Sequence, residues 1–193
     1  MPKQPTTIID ELLAAARGVA AIITGDRRAP GYFDFSQRGL AGSFIAFLLA
    51  TALSAYAPLI GGDAGSGALP PGRLILTALF LFAIQVGFSA LVLRQLNRLD
   101  GFVPYLVADN WATFFLTAAS SLVTLLGLNG DLVVVVVGIV VLVVEINTAR
   151  LIVTLSPWQI AMFLVAQLVG VAIGLIIISF FMPMPADVLP PAS

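Results

Sequence analysis

Residues 132–144, LVVVVVGIVVLVV, form an apolar run without a charge, closed by Glu145. β-Branched residues favour strands in water, so in isolation the run reads as a buried strand. Other long apolar runs accompany it, at 40–60, 74–93, 111–128 and 158–181. Together they make hydrocarbon the more economical surroundings. Lipid offers the backbone no hydrogen-bond partner, and a helix satisfies each N–H and C=O within its own segment. The expected fold class is all-α: a polytopic membrane helix bundle of five transmembrane helices preceded by an amphipathic helix.

The composition points the same way. Only 10% of the 193 residues are charged and 60% are hydrophobic, with a mean hydropathy of +1.07. A soluble chain of this size needs a polar shell that these residues cannot supply. Nine Lys and Arg against ten Asp and Glu leave no basic excess for nucleic acid. The chain has neither Cys nor His. That removes disulfides, thiol catalysis, the usual general base and most zinc chemistry. We expect no enzyme activity, no cofactor and no metal site.

The first segment, 1–39, reads as an N-terminal cytoplasmic piece. Thr7 is placed to cap a helix opening at Ile8, with Asp10 and Glu11 in the first turn where the helix dipole favours acids. Ile8, Leu12, Ala15, Val19 and Ile23 fall along one side and Asp10 and Arg17 on another, and Gly25 is a stop signal. Such a helix either lies on the membrane surface or packs against the bundle. Asp10 and Glu11 stand where a secretory signal peptide would be basic. Asp34 and Gln37 form a D-x-x-Q pattern that predicts a capping box before the first span.

The spans follow within a transmembrane domain of residues 40–182. Span one, 40–60, is long enough for a hydrocarbon core of about 30 Å. Its Gly42, Ala46, Ala50 and Ser54 recur every four residues as a groove for a neighbouring helix. A Gly-rich loop, 61–72, leads to span two, 74–93, with Gln85 near its middle. Span three is read as 111–128, after an interfacial approach at 102–109 in which Tyr105 joins Trp111 as a belt aromatic. Span four, 132–152, contains Glu145 and ends near Arg150. Span five, 158–181, follows a cap at Ser156 with Pro157 in the first helical position, and carries Gln167, Gly170 and Gly174. The Pro-rich tail, 183–193, reads as disordered.

The basic residues set the orientation. Lys3, Arg17, Arg27, Arg28 and Arg38 precede span one, Arg94 and Arg98 follow span two, and Arg150 ends span four; Arg73 alone falls on the other side. The bias puts the N-terminus in the cytoplasm and, with an odd number of spans, the C-terminus outside, as in a multi-pass bacterial inner-membrane protein.

Candidate functional residues are the polar side chains caught in apolar surroundings. Asp109, Asn110, Glu145, Asn147 and Arg150 fall at similar depth near the cytoplasmic side. A carboxylate there costs on the order of 2.5–3.5 kcal/mol, so it is protonated, paired or hydrated. Two readings stand side by side: a proton- or cation-binding pocket opening to the cytoplasm, and a polar clamp holding spans two to four together. Gln85 and Gln167 both fall near midplane, as partners in a hydrogen bond between spans two and five or as substrate contacts. Gly170 and Gly174 mark helix packing. The partners implied are the lipid bilayer and a membrane-protein partner or second copy of the chain.

The stretches FDFSQRGLAGSF (33–44) and LVADNW (106–111) resemble those of a group of uncharacterised bacterial five-span inner-membrane proteins, with an F-D-x-S-x-x-G-x-x-x-S-F opening of span one and N-W at span three. In architecture alone the chain is similar to the Yip-type domain of membrane-trafficking proteins that bind Rab GTPases. Neither resemblance implies an activity for Asp34, Asp109 or Asn110, and a bacterial chain would not inherit Rab binding. The functional expectation is a non-enzymatic scaffold or accessory subunit of a membrane complex; the alternative is a small transporter or channel subunit using the acidic pocket.

Overall fold

The computed structural model describes residues 7–60, 69–128 and 130–181. Lys3, most of the Gly-rich loop, Asn129 and the Pro-rich tail lie outside the described residues. Six α-helices make up the described chain: α1 (Ile8–Thr24), α2 (Gln37–Ile60), α3 (Pro71–Gln95), α4 (Phe102–Leu125), α5 (Asp131–Leu151) and α6 (Pro157–Phe181). Five of them, α2 to α6, are long and apolar enough to cross a membrane. The protein is an integral, multi-pass membrane helix bundle.

Local chemistry sets the helix ends. The Thr7 hydroxyl accepts from the Asp10 N–H at 3.1 Å and opens α1. Gly25 closes it at φ +73°, a left-handed conformation that costs glycine little. Before α2 the structure departs from the expected Asp34–Gln37 box. Asp34 Oδ1 instead accepts from the Ser36 N–H at 2.9 Å, a tight Asx-type turn, and Ser36 Oγ faces the Gly39 N–H at 3.4 Å. A reciprocal box does form at a later helix boundary. The Ser156 N–H donates to Gln159 Oε1 at 2.9 Å while Ser156 Oγ faces the Gln159 N–H at 3.4 Å, with Pro157 opening α6.

Span three differs from the expected approach-then-span arrangement. Phe102 to Leu125 is one unbroken helix. Pro104 is accommodated because it lies in the first turn, where no intrahelical N–H is needed. The consequence is positional: Asp109 and Asn110 are two turns inside the helix, not at its threshold. Tyr105 and Trp111 are buried, at 1% and 7% exposure, and are not belt aromatics.

The small-residue stripes receive neighbouring helices. α2 packs chiefly on α4, and α3 on α6. Ala46 and Ala50 of α2 are buried. On α6, a Cβ at Gly174 would stand 2.7 Å from Leu81 Cδ2, and one at Gly170 would stand 3.0 Å from the Phe88 ring. The glycines allow this approach of α3, so the stripe serves packing within the chain.

Packing is uneven along the bundle. At the end shared with α1, two buried clusters fill the interior. One joins α1, α2, α4 and α5 through Val19, Ile22, Ala46, Val107, Trp111 and Val144. The other joins α3 to α6 through Leu93, Tyr105, Ala149 and Phe163. Towards the opposite end the helices splay, and Leu122, Leu125, Leu132 and Val134 to Val136 are exposed. Arg17, Arg27, Arg28, Arg38, Arg94, Arg98 and Arg150 belong to the α1 end by topology, and Arg73 to the other.

α1 both packs and exposes apolar surface. Ala15, Gly18, Val19 and Ile22 face the bundle, and Phe33 lies on Gly18, where a Cβ would overlap its ring. Ile8, Ile9, Leu13 and Ile23 remain exposed.

Candidate functional site

The polar residues anticipated as one pocket are divided among three places. Asn147 Nδ2 donates to the Ile22 carbonyl of α1 at 2.8 Å, satisfying an acceptor at a helix C-terminus. The exposed Arg150 reaches the same place, with Nη2 3.1 Å from where a Gly25 Cβ would stand. A cation there is favoured by the dipole of α1. Asn147 and Arg150 therefore anchor α1. Asn110 faces a different neighbour, donating to Ser43 Oγ of α2 at 3.1 Å. Its Oδ1 is buried without a hydrogen-bond partner.

Asp109 and Glu145 are the two that meet. Their side chains face each other across the α4–α5 seam, close enough to share a hydrogen bond if one is protonated. By helix rise, Asp109 is about 10 Å from the start of α4 and Glu145 about 9 Å from the end of α5, which share the α1 end of the bundle. Hydrogen bonding between two carboxyl groups requires a proton. With both ionised, two charges about 4 Å apart repel by about 4 kcal/mol at an effective dielectric of 20, added to the cost of placing each in the span. With one proton, repulsion is replaced by a charge-assisted O–H···O⁻ bond. Sharing a proton removes that repulsion, which makes the pair a candidate proton-binding site.

A polar chain adjoins the pair. Gln85 Nε2 of α3 donates to Gln167 Oε1 of α6 at 2.7 Å. Gln167 Nε2 donates to the Tyr105 hydroxyl of α4 at 2.9 Å. Tyr105 and Gln167 also interact with Glu145, and Ser89 of α3 lies by the Tyr105 hydroxyl. Four spanning helices thus converge on one connected set of hydroxyl, amide and carboxyl groups. Glu145 Oε2 is nonetheless buried without a conventional donor, which leaves an acceptor for a proton or water.

Ser89 is a member of this set that sequence reasoning passed over, and Tyr105 is one that it read as a belt aromatic. Both lie on i, i+4 stripes, Tyr105 with Asp109 and Ser89 with Gln85, and that spacing was the available signal. Towards the α1 end the site borders a buried apolar cluster. Tyr105, Phe163, Val153 and Leu155 fill that end, and Tyr105 packs edge-on to Phe163 with ring centroids 5.0 Å apart. This cluster stands one turn from the pair on the side where a cytoplasm-facing mouth was expected.

Among the described residues, no group of three or more acidic side chains is arranged to hold a metal ion. No family model, curated protein or solved structure matches the chain.

Proposed function

We propose that this membrane protein is a small non-enzymatic transporter or channel subunit that binds and passes a proton, or exchanges it for a small cation, at Asp109 and Glu145. The carboxyl pair embedded between α4 and α5, tied to the Gln85–Gln167–Tyr105 chain, carries this reading. A clamp needs only neutral hydrogen-bonding side chains, whereas two acids facing each other within the span suit a group that changes its proton. The arginine distribution supports an inner-membrane orientation with the α1 end in the cytoplasm.

The test is proton flux in liposomes carrying the purified full chain and a trapped pH dye. Vesicles with the unsubstituted protein should dissipate an imposed pH gradient about tenfold faster than vesicles with equal amounts of Glu145→Gln, since the substituted amide cannot release a proton. Equal rates would overturn the reading.

A scaffold is the second reading, supported by the splayed half of the bundle. There the small residues Ala50, Ser54, Ala55 and Ala78 border open clefts, which could seat a partner helix. Copurification of a stoichiometric membrane protein in mild detergent, with flux independent of Glu145, would favour it.

A further inference from the structure

We infer that the open half of the bundle is a water-filled half-channel that reaches the Asp109–Glu145 pair from the end opposite α1. The inference rests on the proton-binding reading and names the route it uses.

Two clefts lie in the splayed half. One, of about 290 Å³, is bounded by α2, α3 and α4. The other, of about 320 Å³, is bounded by α2, α4 and α5. Ser54 and Thr117 line both, so the clefts flank a common seam. Each has room for several waters.

The lining is largely apolar, with a line of hydroxyls from α4 running through it. α4 contributes Thr113 and Thr117 to the first cleft and Thr117, Ser120, Ser121 and Thr124 to the second. Thr51 of α2 returns its hydroxyl to the Phe47 carbonyl at 2.9 Å. Thr113, Thr117, Ser120 and Ser121 have no such protein partner among the described residues. A hydroxyl facing acyl chains without a partner costs free energy that water removes.

Helical register joins the clefts to the acids. Asp109, Thr113, Thr117, Ser120 and Thr124 fall within a sector of about 80° on α4, at about 100° per residue. On α5, Glu145 is preceded at four-residue steps by Val141 and Val137, which line the second cleft. On α3, Leu74 and Ala78 line the first cleft and share a face with Gln85 and Ser89. From Asp109 to Thr124 the rise is about 22 Å, most of a hydrocarbon core of about 30 Å. Beyond Asp109 towards the α1 end, the Tyr105–Phe163 cluster ends the path. The geometry is a ladder of hydroxyls closed at one end by a proton-binding pair.

The absence of Cys permits a direct test with single cysteines. Thr117→Cys, Ser120→Cys and Ser121→Cys are made in the full chain, with Leu122→Cys as the lipid-facing reference. They are reconstituted in phosphatidylcholine vesicles and treated with a charged, membrane-impermeant methanethiosulfonate. Having three cleft positions guards against one variant failing to fold. Cleft cysteines should react about tenfold faster than Leu122→Cys, because the reactive thiolate forms in water and not in hydrocarbon. Rates within about twofold of the reference at all folded cleft positions would overturn the half-channel, whether acyl chains or a neighbouring helix fill the clefts. The flux of the Glu145→Gln chain separates the two failures. Fast labelling with Glu145-independent flux retains the water path and removes the proton reading. Slow labelling with Glu145-dependent flux removes the path alone.

Discussion

Gln167 holds Gln85 and Tyr105 at once, accepting from Gln85 Nε2 at 2.7 Å and donating to the Tyr105 hydroxyl at 2.9 Å. One amide thereby links α3, α4 and α6 beside Glu145. Hydrogen bonds between spans are modest, about 0.6–1.7 kcal/mol each. A double-mutant cycle of Gln85→Leu and Gln167→Leu should give a coupling in that range by unfolding in mixed micelles. A coupling near zero would mean the bond does not hold the helices together.

Glycine positions predict graded packing effects. Gly174→Leu forces a side chain onto Leu81 and Ile84 of α3 and should destabilise the bundle by about 1–3 kcal/mol through overpacking. A Cβ added at Gly138 of α5 would meet nothing within 4 Å. Gly138→Ala should be neutral or stabilise by up to about 1 kcal/mol through helix propensity. Thermal unfolding in detergent separates the two.

Glu11 makes the docking of α1 sensitive to pH. Its side chain is buried against Gly42 of α2, and Oε1 has no hydrogen-bond partner. Burial pushes its carboxyl above the ordinary 4.5, with the Arg38 charge opposing and the Asp34 charge adding to the rise. The folded state therefore holds the proton more tightly than the unfolded chain. The stabilisation is fully present below pH 4.5 and is lost as pH rises through the higher folded value. Glu11→Gln should remove this pH dependence of the α1 contact, read by proteolysis of the N-terminal segment between acidic and neutral pH. An unchanged profile would exclude Glu11 as its source.

Arg98 fastens the α3–α4 turn to the α5–α6 turn. Its guanidinium donates to the Thr154 carbonyl at 3.0 Å, and also to the Val153 carbonyl and Thr154 hydroxyl. Thr154 sits at φ +60°, a conformation that costs a β-branched residue and needs outside support. Arg98→Gln should lower stability by about 1–3 kcal/mol, as for hydrogen bonds to a charged donor. An unchanged unfolding midpoint would contradict that role.

What the sequence made legible was governed by local rules. Apolar length gives the five spans, and Thr7 and Gly25 bound α1 through contacts within a turn. The reach of Asn147 to Ile22 and of Asn110 to Ser43 depends on which helices become neighbours, so depth alone grouped them wrongly with Asp109. The Asp34–Gln37 pattern gave way to Ser36 because Asp34 satisfied a nearer N–H. Tyr105 has the look of a surface aromatic unless Pro104 is placed in the first turn of a longer helix. The carboxyl pair was legible as two acids at one depth, but not as two side chains in contact.

An exchangeable proton held between Asp109 and Glu145 is measured most directly by the infrared carbonyl stretch of a protonated carboxyl. In vesicles at neutral pH, the protein should show such a band that shifts in deuterium oxide, changes frequency when either partner is replaced singly, and disappears in the double variant Asp109→Asn/Glu145→Gln. A spectrum with only ionised carboxylates at neutral pH, or a band that survives the double substitution, would contradict it.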